Sequence, residues 1–180
     1  MIYPGSLHNH TEYSNLDCRD STNRINTLID RAIELGQEVI AFTEHENVCN
    51  SIKIEKYYNK IKEANPNFKV IRGNEIYLCR NGLNQETFEK RKDRYWHFIL
   101  LAKDAEGHKQ IRELSTRAWL RSYRTGKNTR RPTYYQDLKE IIGANPGHVI
   151  GSTACLGGFF ASKILQIESE EDKENLVKWL

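Results

Sequence analysis

The stretch Leu7-His8-Asn9-His10-Thr11-Glu12-Tyr13-Ser14-Asn15-Leu16-Asp17 decides how the rest of the chain is interpreted. Alternate side chains of a β-strand point to the same face, so His8 and His10 are expected to project together while Asn9 points away. Two imidazoles at this spacing can bind one metal cluster. Asp17 follows a turn-like Ser-Asn pair and can return a carboxylate to the same ions. Taken alone, a His-x-His motif is equally typical of two surface histidines.

Length and composition favour one soluble globular domain. The chain has 180 residues, of which 38% are hydrophobic and 28% charged, with only 4 prolines. These values exclude a disordered or fibrous protein. The longest apolar runs, 39–42 and 98–102, are strand-sized, so we expect no membrane span. The N-terminus lacks the features of a secretory signal, which predicts a cytoplasmic protein whose 4 widely spaced cysteines are free thiols.

Basic residues concentrate in two segments, although the formal net charge is only +3. The first segment is 90–94 and the second runs over 117–131. A solvated surface is the commoner role of such runs. Aromatic residues interleaved with the second segment also favour nucleic-acid contacts, because phosphates attract the charges and bases stack on the rings. The residues that we expect to bind nucleic acid are Arg121, Arg124, Arg130 and Arg131.

Helices and strands alternate along the chain. Apolar residues at helical spacing predict helices over 22–35 and 52–64, and apolar runs predict buried strands over 39–42 and 68–72. This β-α-β-α-β order implies a parallel sheet with helices outside, as an open sheet or a closed barrel. The later predicted elements are a polar loop or short hairpin over 79–94, a strand over 97–102, a helix capped by Asp104, a basic loop over 122–131, a helix over 133–142, a strand over 148–153 and a helix from 168 onward.

Candidate metal ligands recur where the predicted strands end. Functional groups collect at the carboxyl ends of parallel strands, and His45, Glu75 and Cys155 follow such strands. His97 instead begins its strand, which fits only if that strand starts earlier or runs in the opposite direction. Histidine, carboxylate and thiolate together suit Zn, Fe or Mn, and a bridging carboxylate such as Glu75 can hold two ions. Ordinary interpretations also exist: His45 can be an exposed histidine, Glu75 a turn cap and Cys155 a buried thiol.

In order and spacing, these motifs resemble the PHP (polymerase and histidinol phosphatase) domain at the N-terminus of bacterial DNA polymerase III alpha subunits. The resemblance runs through 7–14, 41–45, 73–75, 97–103 and 151–158. It implies an α/β fold, a distorted (β/α)7 barrel that holds up to three divalent transition metal ions, Zn, Mn or Fe. The metal ligands that it implies are His8, His10, Asp17, His45, Glu75, His97 and Cys155, and the implied catalytic residues are Glu75 and His45.

Two departures from the family pattern carry expectations of their own. Glu44-His45-Glu46 stands where the family usually has Asp-His-Gly, so the partner expected to orient His45 is one methylene longer. An Asp-x-His metal pair expected beyond Cys155 is absent. We therefore expect residues 1–180 to be a truncated PHP domain, with a barrel incomplete at its C-terminus, from a longer polymerase chain.

Three functions remain open at this point. The first is metal-dependent phosphoester hydrolysis, in the form of a 3′–5′ proofreading exonuclease that acts on DNA. The second is a structural brace or docking domain of the polymerase, in which metal only stabilises the fold. The third is a stand-alone small-molecule phosphatase, which the polymerase-like sequence after His97 disfavours. Expected partners are DNA, the rest of the polymerase chain and other replisome subunits, and the fragment alone is expected to be weak or inactive.

Overall fold

One mixed sheet organises the fold, which a computed structural model describes for residues 4–17, 19–79 and 95–179. Five of its six strands form a continuous path, and the sixth pairs beside the third strand. Of the loop predicted over 79–94, only Cys79 is described, and the basic segment 90–94 lies wholly outside the described residues. Within the described part of the chain, no helix has the length and apolar character needed to cross a membrane.

The first half of the chain forms the predicted parallel units. Strands β1 (Gly5–Ser6), β2 (Val39–Phe42) and β3 (Lys69–Cys79) pair in parallel in that order. Helices α1 (Ile25–Glu34) and α2 (Ser51–Ile61) connect them. Apolar side chains from both helices and from β2 and β3 form one core cluster, so the β-α-β-α-β prediction is confirmed.

The second half reverses direction. Its elements are β4 (Trp96–Ala102), α3 (Ala105–Leu120), β5 (Tyr123–Thr125), β6 (Asn128–Arg130), β7 (Pro132–Tyr134), α4 (Tyr135–Ile141), β8 (Val149–Thr153), α5 (Phe159–Ile164) and α6 (Glu170–Trp179). Strand β4 runs antiparallel to β3, and β8 runs antiparallel to β4, so the sheet is mixed rather than purely parallel. Strands β1 and β8 end the described path. The fold is thus an incomplete, distorted α/β barrel.

Local boundaries differ from the prediction where a distant partner competes. Helix α1 begins at Ile25 rather than at 22, because Ser21 donates its hydroxyl to the carbonyl oxygen of His10 at 3.0 Å instead of capping the helix. The predicted helix over 133–142 begins only at 135, since β7 pairs in parallel with β3. The predicted basic loop is a hairpin of β5 and β6. Asp104 caps α3 as predicted, accepting the Gly107 amide at 2.9 Å.

Candidate metal centre

The side chain of Glu75 lies at the centre of a histidine cluster and is 1% exposed. Its Oε2 lies 3.0 Å from His10 Nε2, 3.0 Å from His45 Nδ1 and 3.3 Å from His8 Nε2. Its Oε1 lies 2.8 Å from His97 Nδ1. Four imidazoles from three separate parts of the chain therefore converge on one buried carboxylate.

Strand order explains this convergence. Residues after β1 and β2 meet β3 at the carboxyl edge of the parallel strands, and His45 forms an isolated parallel bridge with Glu75. His97 reaches the same edge from the start of β4 because β4 is antiparallel to β3. The sequence allowed this second direction as one way to accommodate His97, and the structure adopts it.

The His8 and His10 pair lies just beyond β1 rather than within it, so its predicted strand is wrong. Its predicted orientation is nevertheless confirmed, since the two Nε2 atoms lie 2.9 Å apart. Asn9 turns away and donates to the Ala41 carbonyl oxygen at 2.9 Å. A short loop that is hydrogen-bonded to β2 through Asn9 therefore directs both imidazoles to one side, as the longer predicted strand was expected to do.

Cys155 lies beside this cluster, after the end of β8. Its Sγ is 3.6 Å from His97 Nδ1 and accepts the Gly157 amide at 3.3 Å. A Cβ atom at Gly157 would lie 3.3 Å from the His97 ring and 3.4 Å from this sulfur, so glycine allows the loop to approach closely. Cys49 and Cys155 are free thiols as predicted, while Cys18 lies outside the described residues.

The structure does not bring Asp17 into the cluster. Its Oδ2 accepts hydrogen bonds from Arg131 at 3.3 Å and from the Thr129 amide at 3.1 Å. Asp20 is there instead, with Oδ2 at 3.4 Å from His45 Nε2. Sequence reasoning missed Asp20, and the only available signal was a second carboxylate in the same loop.

The donor set fits divalent transition metal ions. Among the residues that the structure describes, three groups have all their ligand atoms within 4.8 Å of one another: His8 with His10 and Glu75, His10 with Asp20 and His45, and His45 with Glu75 and His97. The buried Nδ1 of His45 lies near Oε2 of Glu75 but makes no aligned hydrogen bond. This is the geometry expected of a nitrogen that coordinates a metal ion. Imidazole, carboxylate and thiolate are the ligands that Zn, Fe and Mn accept in proteins.

Electrostatics keep the central carboxylate charged. Burial alone would raise the pKa of Glu75, but the four surrounding histidines outweigh it, so this pKa lies far below its usual range. Burial would likewise lower the pKa of His45, but the carboxylates of Glu75 and Asp20 reverse this effect and raise that pKa. The cluster therefore holds a fixed negative charge among imidazoles, which is the charge pattern that a cation site needs.

A fully buried carboxylate, Glu44, supports the cluster from behind. It accepts hydrogen bonds from the Thr11 amide at 2.9 Å, the Thr11 hydroxyl at 2.6 Å, Ser14 Oγ at 2.6 Å and Asn50 Nδ2 at 2.7 Å. Because these four donors occupy both oxygens, the carboxyl group is an ionised acceptor.

Glu44 orients His10 rather than the ring of His45, which corrects the expectation from sequence. Ser14 donates its hydroxyl proton to Glu44, so its oxygen accepts from His10 Nδ1 at 2.8 Å and from the His45 amide at 3.1 Å. The network thus places a proton on Nδ1 of His10 and turns Nε2 toward the cluster.

A buried ion pair holds the chain immediately after His45. Glu46 has φ of 55°, in the left-handed region, and is 5% exposed. The amide and guanidinium of Arg131 donate to its two carboxylate oxygens at 3.0 Å and 3.2 Å. The Arg131 guanidinium lies 4.4 Å from the Trp119 ring centroid, and the Trp119 indole donates to the Glu46 carbonyl oxygen at 2.7 Å. Burial raises the pKa of Glu46, and Arg131 opposes that rise.

The four arginines expected to bind nucleic acid fall into two groups. Arg131 is 7% exposed and paired internally, and Arg121 makes two hydrogen bonds to Asp137, at 2.5 Å and 2.9 Å. Both guanidinium groups are thus paired with carboxylates of the chain itself. Arg124 is exposed on the β5–β6 hairpin, and Arg130 at its end lies 5.7 Å from the centroid of the Tyr77 ring. Nucleic-acid binding by the four arginines stays a prediction.

Two other histidines have partners of their own. The Nε2 atom of His108 lies 3.1 Å from Ser51 Oγ. The Nδ1 atom of His148 lies 2.7 Å from Asp104 Oδ2. Both lie outside the three ligand groups, as the absence of a motif around them predicted.

An incomplete α/β barrel with histidines, carboxylates and a thiol at the carboxyl edge of its strands defines a metal-binding α/β domain. The PHP domain family matches residues 6–180, and the chain belongs to that family. The family membership that the sequence motifs implied is thereby confirmed.

The curated proteins to which the chain is similar carry the names of DNA polymerases. The chain is 35% identical over 170 residues to "Probable DNA polymerase YorL" of Bacillus subtilis (strain 168), covering 92% of this chain and 13% of the relative. The same values hold for "DNA-directed DNA polymerase" of Bacillus phage SPbeta. Identity is 28% over 175 residues, with 96% and 13% coverage, to "DNA polymerase III subunit alpha" of Treponema pallidum (strain Nichols). The chain thus spans a small part of the length of these curated relatives.

Proposed function

We propose that this chain is the PHP domain of a DNA polymerase III alpha type polymerase and that its metal centre hydrolyses phosphodiester bonds as a 3′–5′ exonuclease. The observation that carries the proposal is the convergence of four imidazoles on the buried Glu75 carboxylate. The names of the relatives support the polymerase assignment. A domain that only braced a polymerase would not need this set of ligand atoms on one side of its sheet.

Each residue of the centre has a definable task in such a reaction. His8, His10, His45, His97, Glu75 and Cys155 would hold the ions, with Asp20 beside His45. Bound divalent ions stabilise negative charge on the phosphate oxygens and on the leaving oxygen. Glu75 is suited to bridge two ions because its two oxygens face different histidines. Ser14 and Glu44 fix the His10 ring before any ligand arrives, which removes a reorganisation cost.

Access to the centre is from the side of His8 and Cys155. The His8 side chain is 33% exposed, against 1% for Glu75, and Cys155 is exposed. Tyr77 stacks on His97 with ring centroids 4.6 Å apart, and the guanidinium of Arg130 lies over the Tyr77 ring. The hairpin therefore adjoins the centre, and we assign Arg124 and Arg130 to the phosphates of a bound DNA strand.

The experiment is a primer-degradation assay on the longest natural chain that contains residues 1–180. We expect metal-dependent release of nucleotide from a 3′-labelled DNA primer and loss of that activity in Glu75→Gln, which keeps the shape but removes the bridging charge. Exposed Glu63→Gln is the matched control and should retain activity. Elemental analysis of Cys155→Ser and His10→Ala should show less bound Zn, Mn or Fe than the unaltered protein.

One observation favours the structural alternative. Asp17, a ligand that the family resemblance implies, is engaged by Arg131 and Thr129, so one expected ligand supports the fold instead. A protein that binds metal fully yet releases no nucleotide from matched or mismatched primers would contradict the exonuclease proposal. The domain would then serve the polymerase as a metal-stabilised brace.

A further inference from the structure

A basic groove lies between α1 and α2, outside the metal centre. Its volume is about 490 Å³, and its charged lining residues are Arg24, Lys53, Lys56, Lys60 and Glu12. Four cationic side chains thus face one carboxylate. Glu12 is itself shared, with Oε2 at 3.9 Å from Arg24 and Oε1 at 3.5 Å from Lys53. The groove therefore keeps an excess of positive charge.

The three lysines form a stripe along one helix face. Lys53, Lys56 and Lys60 are spaced i, i+3 and i+7 on α2, so their side chains project from the same side. At a rise of 1.5 Å per residue the stripe is about 10 Å long. Successive phosphates of a stacked strand are about 3.4 Å apart along its axis, so the stripe can face roughly three of them. A linear polyanion matches this shape better than a single small anion.

The groove opens next to the metal centre. Both helices follow strands of the parallel half, so their N-terminal ends lie at the same edge of the sheet as the histidine cluster. Glu12 donates its amide to the Asn23 carbonyl oxygen at 2.9 Å, and Asn23 Nδ2 donates to the His10 carbonyl oxygen at 3.3 Å. Arg24 is the next residue along the chain. The mouth of the groove is thus hydrogen-bonded to the loop that carries His10.

We propose that this groove binds the phosphate backbone of the single-stranded DNA that leads to the metal centre. The inference rests on the proposed exonuclease function and adds to it the path of the strand. The Tyr57 ring lines the same groove and offers a base a stacking surface beside the cations. Sequence reading misses the site because its cations come from α2 and from the residue that precedes α1, and they form no continuous basic run.

The test is fluorescence anisotropy with labelled oligothymidylate of about 12 nucleotides in EDTA, so that binding is measured without hydrolysis. We compare the unaltered chain with the triple variant Lys53→Gln, Lys56→Gln, Lys60→Gln. Loss of about three phosphate contacts should weaken binding at least about tenfold near 50 mM salt and reduce the salt slope by about 2. The control triple variant, Lys62→Gln, Lys103→Gln, Lys139→Gln, removes the same charge from exposed sites elsewhere.

Equal losses in the two triple variants, or no loss in the groove variant, would overturn the proposal. A triple Lys→Arg variant of the groove should keep its affinity, which separates lost charge from lost folding. Metal and hydrolysis play no part in the measurement, so DNA binding by the groove can be confirmed even if the protein never releases a nucleotide. Conversely, a failed binding test leaves the exonuclease proposal intact.

Discussion

Replacing Glu44 with Gln tests the support of the metal centre without changing any ligand. The Glu44 carboxylate is fully buried and accepts two hydrogen bonds on each oxygen. Glutamine preserves the shape, but its nitrogen accepts no hydrogen bond. Whichever way the amide turns, two of the four donors therefore lose their acceptor.

The size of the effect follows from those two bonds. A hydrogen bond to a charged group contributes about 1.5–3 kcal/mol, so two losses cost at most about 3–6 kcal/mol. The hydroxyl of Thr11 or Ser14 can rotate to accept from the new amide, which recovers roughly one bond. We therefore expect the free energy of unfolding to fall by about 1.5–3 kcal/mol, and Tm to fall by roughly 9 °C for a 3 kcal/mol loss.

The assay is urea unfolding of the metal-free chain, with exposed Glu63→Gln as the control. The control should change the free energy of unfolding by less than about 0.5 kcal/mol. Metal affinity of the Glu44 variant should also fall about 10–100-fold, because Ser14 no longer holds the His10 ring in place. If Glu44→Gln unfolds like the control, the carboxyl group is not the ionised acceptor inferred here, and its role in orienting His10 must be abandoned.

Two further predictions concern other buried charges. Arg131→Met should lower the free energy of unfolding by about 3–5 kcal/mol, because it leaves Glu46 buried without its partner. Adding Glu46→Gly should restore much of that free energy. If the single and double variants have the same free energy of unfolding, the pairing is contradicted. Desolvation, with Arg72 and Arg112, lowers the pKa of His108 to about 4. Since this folded-state pKa lies below the unfolded value, the stabilisation is complete above about pH 6.5 and is lost as pH falls toward 4. Between about pH 7 and pH 5, the His108→Asn variant should therefore lose about 1 kcal/mol less free energy of unfolding than the unaltered chain, a value discounted for partial exposure. Urea unfolding that shows the same pH dependence for both proteins would refute this prediction.

The parts of the centre that the sequence could predict are those set by local pattern. Strand periodicity and strand ends located His45 and Glu75, and spacing alone oriented His8 with His10. The reversal of β4, which brings His97 to Glu75, depends on pairing across the chain, and the sequence indicated it only as one of two ways to explain His97 at the start of its strand. The start of α4 was misplaced for the same reason, because β7 pairs with β3.

Charge in a sequence does not reveal which cations are buried. Arg124 and Arg131 belong to one basic segment, yet Arg131 meets Glu46 across 85 positions of the chain while Arg124 remains exposed. Asp17 and Asp20 present the same difficulty, since both are loop carboxylates after the same motif. Their different roles depend on whether Arg131 or His45 lies nearby.

The scattering of the ligand atoms along the chain has a consequence for folding. His10, His45, Glu75 and His97 come from four separate segments, and the last two meet only when β3 pairs with β4. The group of His45, Glu75 and His97 is therefore complete only in the assembled sheet, so an ion bound by that group favours the assembled sheet over intermediates in which β3 and β4 are unpaired. At a free metal concentration 100 times the dissociation constant, this preference is worth about 2.7 kcal/mol. The ion would act late in folding, slowing the separation of two sheet halves that have already met.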